Sequence, residues 1–492
     1  MNRRPIYTSL LAALLGTPAL LYAQHDDTED GADGHHHEAE LEKMTVTASP
    51  LQTTPLEMTQ SAEVLYGEEL EKQLQSSIGE TLKNMPGIAN ASFGASVGRP
   101  VIRGLDASRV GVLENNVSSN DISDLSQDHA VTIEPFLADT IEVLKGPATL
   151  LYGSDTIGGV VNVRTNRIPQ APVDGTMGRA MIQGDTAANE RYGAGRLDWG
   201  KQGWAMHADA FWRDRDDYDI PGFAEVDPEP GEEPPGELPN SFQETAGGAL
   251  GGTLFGEAWS LGASVSLYDA DYGIPGAGHA HEDEHGDEHG DEEHDEDHDE
   301  EHGEEEEAVS IDIESVRYDL EWGWSNPFAG FENWKLLVNR TDYEHTEFEG
   351  DEVGTVFEND TTDGRLELTH LPIADTWRGT LGVQYSDRDF SAVGDEAFVP
   401  PSQTDTIAVF LLEEAEFGDW RVEFGGRLED QEITADDGRR VDHDPLSLSA
   451  GTSWAFTERD RLAFNLTRAE RAPGAEELLA FGPHIATQTF EV

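Results

Sequence analysis

Short runs in which every second residue is apolar constrain this chain more than any other feature. Trp259, Leu261, Ala263, Val265 and Leu267 alternate with Ser260, Gly262, Ser264 and Ser266. Trp377, Gly379, Leu381, Val383 and Tyr385 alternate with Arg378, Thr380, Gly382 and Gln384. Trp420, Val422, Phe424 and Leu428 alternate with Arg421, Glu423, Arg427 and Glu429. Period two is the repeat of a β-strand, whose side chains point to opposite faces in turn. A soluble sandwich would bury the face that carries Arg and Glu, which is costly. From about residue 175 the pattern therefore predicts strands with one side on lipid and the other on water. Trp begins several of these runs, where an interfacial aromatic girdle places it.

The start of the chain agrees with export. Residues 1–23 read as a secretory signal, with Arg3 and Arg4 ahead of a mostly apolar stretch from Thr8 to Tyr22, and Ala23 before the expected cut at Gln24. No other apolar run approaches the roughly 18–20 residues of a spanning helix. The exported protein is then either soluble or a membrane-spanning β-barrel. There is no cysteine, which excludes disulfide staples, zinc ribbons and thiolate copper sites. The chain has 99 acidic against 31 basic residues and a formal net charge of −68. Nucleic acid is excluded as a partner, because phosphate binding needs a basic surface. Cations are favoured, with adaptation to salt or simple solubility as the reading for part of the acidic excess.

One segment turns that charge into a specific expectation. His279, His281, His285, His289, His294, His298 and His302 recur among Asp and Glu in GHAHEDEHGDEHGDEEHDEDHDEEHG. Imidazole suits Zn, Ni and Cu, and carboxylates add charge and oxygen donors. Glycines and like charges prevent packing, so the tract reads as a low-affinity metal-collecting loop. A second tract at 24–41, with His25 and His35 to His37, has no hydrophobic periodicity and reads as disordered. Its histidine triplet is either a minor metal site or an accident of composition.

Between these tracts and the alternating runs, residues 42–168 read as one compact α/β domain. Glu63–Leu65 and Ile141–Leu144 read as strands. Leu70, Leu74, Ile78 and Leu82 give Glu68–Met85 helical spacing, and Gly146, Gly153, Gly158 and Gly159 punctuate turns. Acidic or Pro/Gly-rich stretches at 215–241 and 276–309 suit extracellular connections.

Three motifs carry a family resemblance: EKMTVTA at 42–48, RPVIRGL at 99–105 and IEVLKGPATLLYGSDTIGGVVNV at 141–163. With the alternating strands they resemble the TonB-dependent outer-membrane receptors. That resemblance implies an N-terminal α/β plug domain (42–168) inside a C-terminal antiparallel transmembrane β-barrel (175–492). It implies the outer membrane of a Gram-negative bacterium, contact with its lipid, and TonB with ExbB and ExbD as partners. Glu42, Lys43, Met44, Thr45, Val46, Thr47 and Ala48 resemble the TonB box, an extended segment taken up by strand addition. The roles of Gly146, Gly158 and Gly159 are then structural, at tight turns and close backbone approaches.

LSQDHAVTI (125–133), VNRTDYEHTEFEGDEV (338–353) and LLAFGPHIATQTFEV (478–492) resemble the zinc-uptake, ZnuD-type branch more closely. The branch's metal site carries over by motif to Asp128 and His129 of the plug and Glu347 and His484 of the barrel. Two imidazoles and two carboxylates suit tetrahedral Zn²⁺. Within the second segment Glu344, Glu349 and His345 compete with Glu347. The implied function is import of zinc, a transported ligand rather than a catalytic cofactor, so the protein is no enzyme. The alternatives are a receptor for nickel, cobalt, copper, haem or a siderophore, or a secreted metal-sequestering protein. Burial opposes charging of His129 and His484, so this site is expected to hold metal at lower pH than the loop. The ~320 residues after the plug are few for a 22-stranded barrel at about 10 residues per strand, so a truncated barrel is expected.

Overall fold

The computed structural model describes residues 46–491 except 52, 56, 95, 225–234, 277–307, 395–396, 458–459 and 485–488; for His484 it describes the backbone alone. The signal segment, the 24–41 tract and the histidine loop therefore lie outside the described residues.

The plug strands are β1 (Ser61–Tyr66), β2 (Ile88–Ser92), β3 (Gly98–Ile102), β4 (Val110–Glu114), β5 (Val117–Ser118), β6 (Thr140–Lys145) and β7 (Gly159–Arg164). Five form a sheet in the order β1-β6-β7-β4-β5, and β2 pairs with β3. The sheet and its helices enclose Ile78, Leu82, Ile102, Ile141, Val143, Val161 and Val163. Each such branched side chain contributes roughly 1.5–3 kcal/mol when withdrawn from water.

The single helix expected over Glu68–Met85 is two, Gly67–Gln73 and Ile78–Leu82. Leu74 leaves the helix at ψ 129°. Ser77 then caps a new one by accepting from Glu80 N, and the Gln75 amide is held by Thr81 Oγ1. Leu70, Leu74, Ile78 and Leu82 are all buried, so the periodicity located the core face. A local capping serine broke the continuity.

Beyond the plug the chain is almost entirely antiparallel sheet. Its strands are β8 (Gly175–Gly184), β9 (Arg191–Lys201), β10 (Trp204–Arg215), the small hairpin β11 (Tyr218–Asp219) and β12 (Glu237–Leu238), β13 (Gln243–Phe255), β14 (Trp259–Gly273), β15 (Val309–Ser325), β16 (Phe331–Glu349) and β17 (Glu352–His370). The same sheet continues through Trp377–Gly394, Ser402–Phe417, Trp420–Ala435, Leu446–Ala455 and Arg461–Arg468. Among the described residues this sheet contains 14 strands, counting Arg440–His443, which pairs with Trp420–Ala435 off the main path, and leaving out β11 and β12, which pair only with each other; β8 and Arg461–Arg468 are the two ends of the path.

The alternation sorts residues as expected. Leu261, Leu320, Val383, Ile407 and Leu428 face outward and are exposed. Arg317, Arg365 and Arg427 face the lumen, paired with Asp319, Glu367 and Glu429 two residues on. Trp259 lies opposite Trp324, Trp324 opposite Trp334, and Trp420 opposite Trp454, which forms a row of indoles at one rim. The lumen arginines also grip the plug: Arg317 donates to Ser118 O at 2.7 Å and Arg365 to Leu151 O.

Candidate metal centre

The plug loop after β5 is closed on itself by polar contacts. Asp121 accepts from the amides of Ser123 and Thr132, both at 3.1 Å. Arg99 of β3 reaches under the loop and donates to Ser123 O and Ser126 O. Ser126 Oγ donates to Asp128 Oδ1. His129 Nδ1 stands 3.0 Å from Ile122 O. A carbonyl only accepts, so Nδ1 carries the hydrogen and Nε2 is the nitrogen turned toward Glu347. Asp128 and His129 are both fully buried.

The facing wall is β16. Tyr343, His345 and Glu347 sit two apart, so all three point into the lumen, and all are buried. Tyr343 Oη lies 2.9 Å from His345 Nδ1 and orients that ring. Phe357 of β17, paired with His345 across the sheet, packs against both imidazoles, with ring centroids 4.6 Å from His345 and 5.6 Å from His129. Among the described residues His345 Nε2 has no hydrogen-bond partner.

Two plug side chains and two barrel side chains approach one another here. His129 Nε2 is 3.2 Å from Glu347 Oε1, and His345 Nε2 is 3.5 Å from the same oxygen. Asp128 Oδ2 is 3.9 Å from His129 Nε2. Donors on a tetrahedral zinc, with bonds of about 2.0 Å, stand about 3.3 Å apart. The two shorter spacings match that edge. His129, His345 and Glu347 each offer one donor atom, all within 4.8 Å of one another. The Asp128 and Glu347 carboxylates would balance the charge of a dication held there.

The protonation of His129 differs from expectation. Burial opposes charging of the ring, as anticipated, but the Asp128 and Glu347 carboxylates outweigh it and raise the pKa above the ordinary imidazole value. Protons therefore compete with metal at this site too.

Asp128, His129 and Glu347 thus lie near one another, and His345 joins them. His345 and Glu347 share one face of a strand by period two, which is the sequence signal for the pair. His484 lies in the short strand Gly482–His484, paired with Thr489–Glu491, and its side chain is outside the described residues. Of the TonB-box residues, Glu42 to Thr45 are also outside them. Val46 to Ala48 are not extended, as expected, but enter a buried turn. The Glu142 carboxylate causes this by accepting from the amides of Thr47, at 2.9 Å, and Ala48, at 2.7 Å.

Comparison with known proteins matches the description TonB-dependent Receptor Plug Domain over residues 54–160. The description TonB dependent receptor-like, beta-barrel matches residues 242–491, half of the chain. The chain belongs to the TonB-dependent receptors. Receptors of this family sit in the Gram-negative outer membrane and are not enzymes, and among the described residues no helix is long and apolar enough to cross a membrane. The receptor is 32% identical over 161 residues to the vitamin B12 transporter BtuB of Vibrio vulnificus, covering 32% of this chain and 24% of the relative. It is 28% identical over 160 residues to a hemin receptor of Yersinia pestis, covering 32% of this chain and 23% of that one. Its fold is similar to the FrpB iron transporter from Neisseria meningitidis, with TM-score 0.65, 12% identity, and coverage of 84% of this chain and 65% of that one. It is similar to the copper transporter OprC with TM-score 0.66, 16% identity, and coverage of 85% and 63%. This receptor therefore spans about a quarter of the curated relatives and under two thirds of those structures.

Proposed function

We propose that this receptor imports a divalent transition-metal ion, zinc, into the periplasm. The observation that carries the reading is the buried cluster of His129, His345 and Glu347, with both imidazoles at tetrahedral donor spacing from one Glu347 oxygen and Asp128 beside them. Imidazole with carboxylate, and no sulfur donor, suits Zn²⁺ over Cu⁺. His484 is the further candidate donor. The metal cargoes in the names of FrpB and OprC support the class of cargo. The histidine tract from His279 to His302 collects ions outside, and the plug–barrel site receives them. TonB, energised by ExbB and ExbD, engages residues 42–48 and draws the plug ligands away from the barrel ligands. Calorimetric titration with Zn²⁺, Ni²⁺, Co²⁺ and Cu²⁺ tests the reading. Zinc is expected to bind at one tight site per chain, distinct from weaker binding to the histidine tract, and tightest of the ions that keep tetrahedral geometry. A preferred ion other than zinc, or binding indifferent to His129→Gln, refutes it.

A further inference from the structure

The plug and barrel residues of the proposed site are joined only through some 218 residues of chain, from His129 to Glu347, so something local must set the distance between them. Tyr272 of β14 is fully buried, and its hydroxyl donates to Asp128 O at 2.9 Å and accepts from Ala130 N at 3.1 Å. One oxygen therefore grips the backbone on both sides of His129. Tyr272 pairs with Ile311, and Ile311 pairs with Glu347, so Tyr272 and Glu347 lie on one inward row across β14, β15 and β16. Adjacent strands stand about 4.8 Å apart, which places the ends of this row about 10 Å apart. At one end the row holds the backbone of His129, and at the other Glu347 meets its Nε2 at 3.2 Å. The sheet's own hydrogen bonds fix that span.

We infer that Tyr272 is the positioning residue that sets the register of Asp128 and His129 against Glu347 and His345, and so controls how fast bound metal leaves. This rests on the proposed metal site and adds a residue that touches no metal. The physical reason is preorganisation. Without the hydroxyl the turn keeps its own internal contacts but loses this tie to the β14 wall, and each excursion of the plug turn from the wall opens the proposed site. Any displacement of that turn from the wall breaks both Tyr272 hydrogen bonds and splits the site into a plug half and a barrel half.

The test uses the full chain in detergent. Zinc affinity is measured by competition with a chelator, and release by stopped flow. Tyr272→Phe is expected to weaken zinc binding about tenfold, through faster release, while one ion per chain is retained. With Co²⁺ as probe, the visible band of the tetrahedral ion should weaken as the geometry loosens. Tyr268→Phe, the same deletion four residues away on β14, should leave affinity and release unchanged. Release from Tyr272→Phe at the wild-type rate overturns the positioning role, even where His129→Gln abolishes binding. Zinc binding indifferent to His129→Gln removes the site and the role together. If Tyr272→Phe fails to fold, hydrogen exchange in the wild-type protein decides. The Ala130 amide should be protected with and without zinc, and exchange at an exposed rate without zinc overturns the proposal.

Discussion

His129 Nδ1 is held by the carbonyl of Ile122 at 3.0 Å, and this bond decides which nitrogen faces Glu347. Nε2 then meets a carboxylate oxygen at 3.2 Å. Only a proton or a cation makes that approach favourable. The first expectation follows. The double variant Asp128→Ala, His129→Ala should lose zinc affinity by at least about a hundredfold and remain folded, since even outer-shell losses cost 10–100-fold. Wild-type affinity on titration would remove the plug half of the site.

Tyr343 should matter without touching the ion. Its hydroxyl, 2.9 Å from His345 Nδ1, orients the ring whose Nε2 approaches Glu347. Tyr343→Phe should lower zinc affinity by roughly 10–100-fold with the fold preserved. An unchanged binding isotherm would mean that His345 is packed and not a ligand.

On the proposed reading the histidine tract acts by concentration. Deleting Gly278 to Gly303 should lower uptake at scarce zinc and leave uptake at abundant zinc intact. Exposed charges act over about 10 Å at 0.1 M salt, so added salt should reduce the loop's contribution more than the buried site's. Equal loss at all zinc concentrations would show that the tract has another role.

Asp155 gives the plug a pH dependence. It faces the water of a cavity between plug and barrel, yet the surrounding protein and the Glu429 carboxylate raise its pKa to about 7. An unfolded aspartate titrates near 3.9. A raised folded value means that the protonated form is favoured in the fold. That stability is fully present below about pH 4 and is lost as pH rises through about 7. Asp155→Asn should therefore flatten the pH dependence of plug hydrogen exchange between those limits and protect the plug most at pH 8. A wild-type pH profile in the variant would show that other groups dominate.

Gly159 should tolerate no side chain. It opens β7 at φ +147°, and a Cβ there would lie 2.3 Å from Leu144 O and 2.9 Å from Ile102 Cδ1. Backbone oxygen on the neighbouring strand cannot move aside cheaply. Gly159→Ala should destabilise the plug by about 2 kcal/mol or more, visible as faster exchange of the β6 and β7 amides. Unchanged exchange would mean that the β6–β7 pair shifts to admit a methyl.

Much of the fold is written in local pattern. Period two with Arg and Glu on one face and Leu and Trp on the other specifies lipid-spanning strands, because each residue's side is fixed by its parity. The same parity puts His345 and Glu347 together, and short motifs supply the family and the plug. Local pattern also misled twice. The helix at Glu68–Met85 broke where Ser77 found a better partner in the Glu80 amide, and Val46 to Ala48 turned inward toward Glu142, about a hundred residues away. What only the tertiary structure decided is how near these residues of separate elements lie and that His345 stands among them. Asp128 and His129 stand more than two hundred residues from Glu347, and no spacing rule joins a plug loop to a barrel wall. Tyr272 had no sequence signal at all. Its importance comes from its place on the same cross-strand row as Glu347, and that row exists only once β14, β15 and β16 have paired in this register.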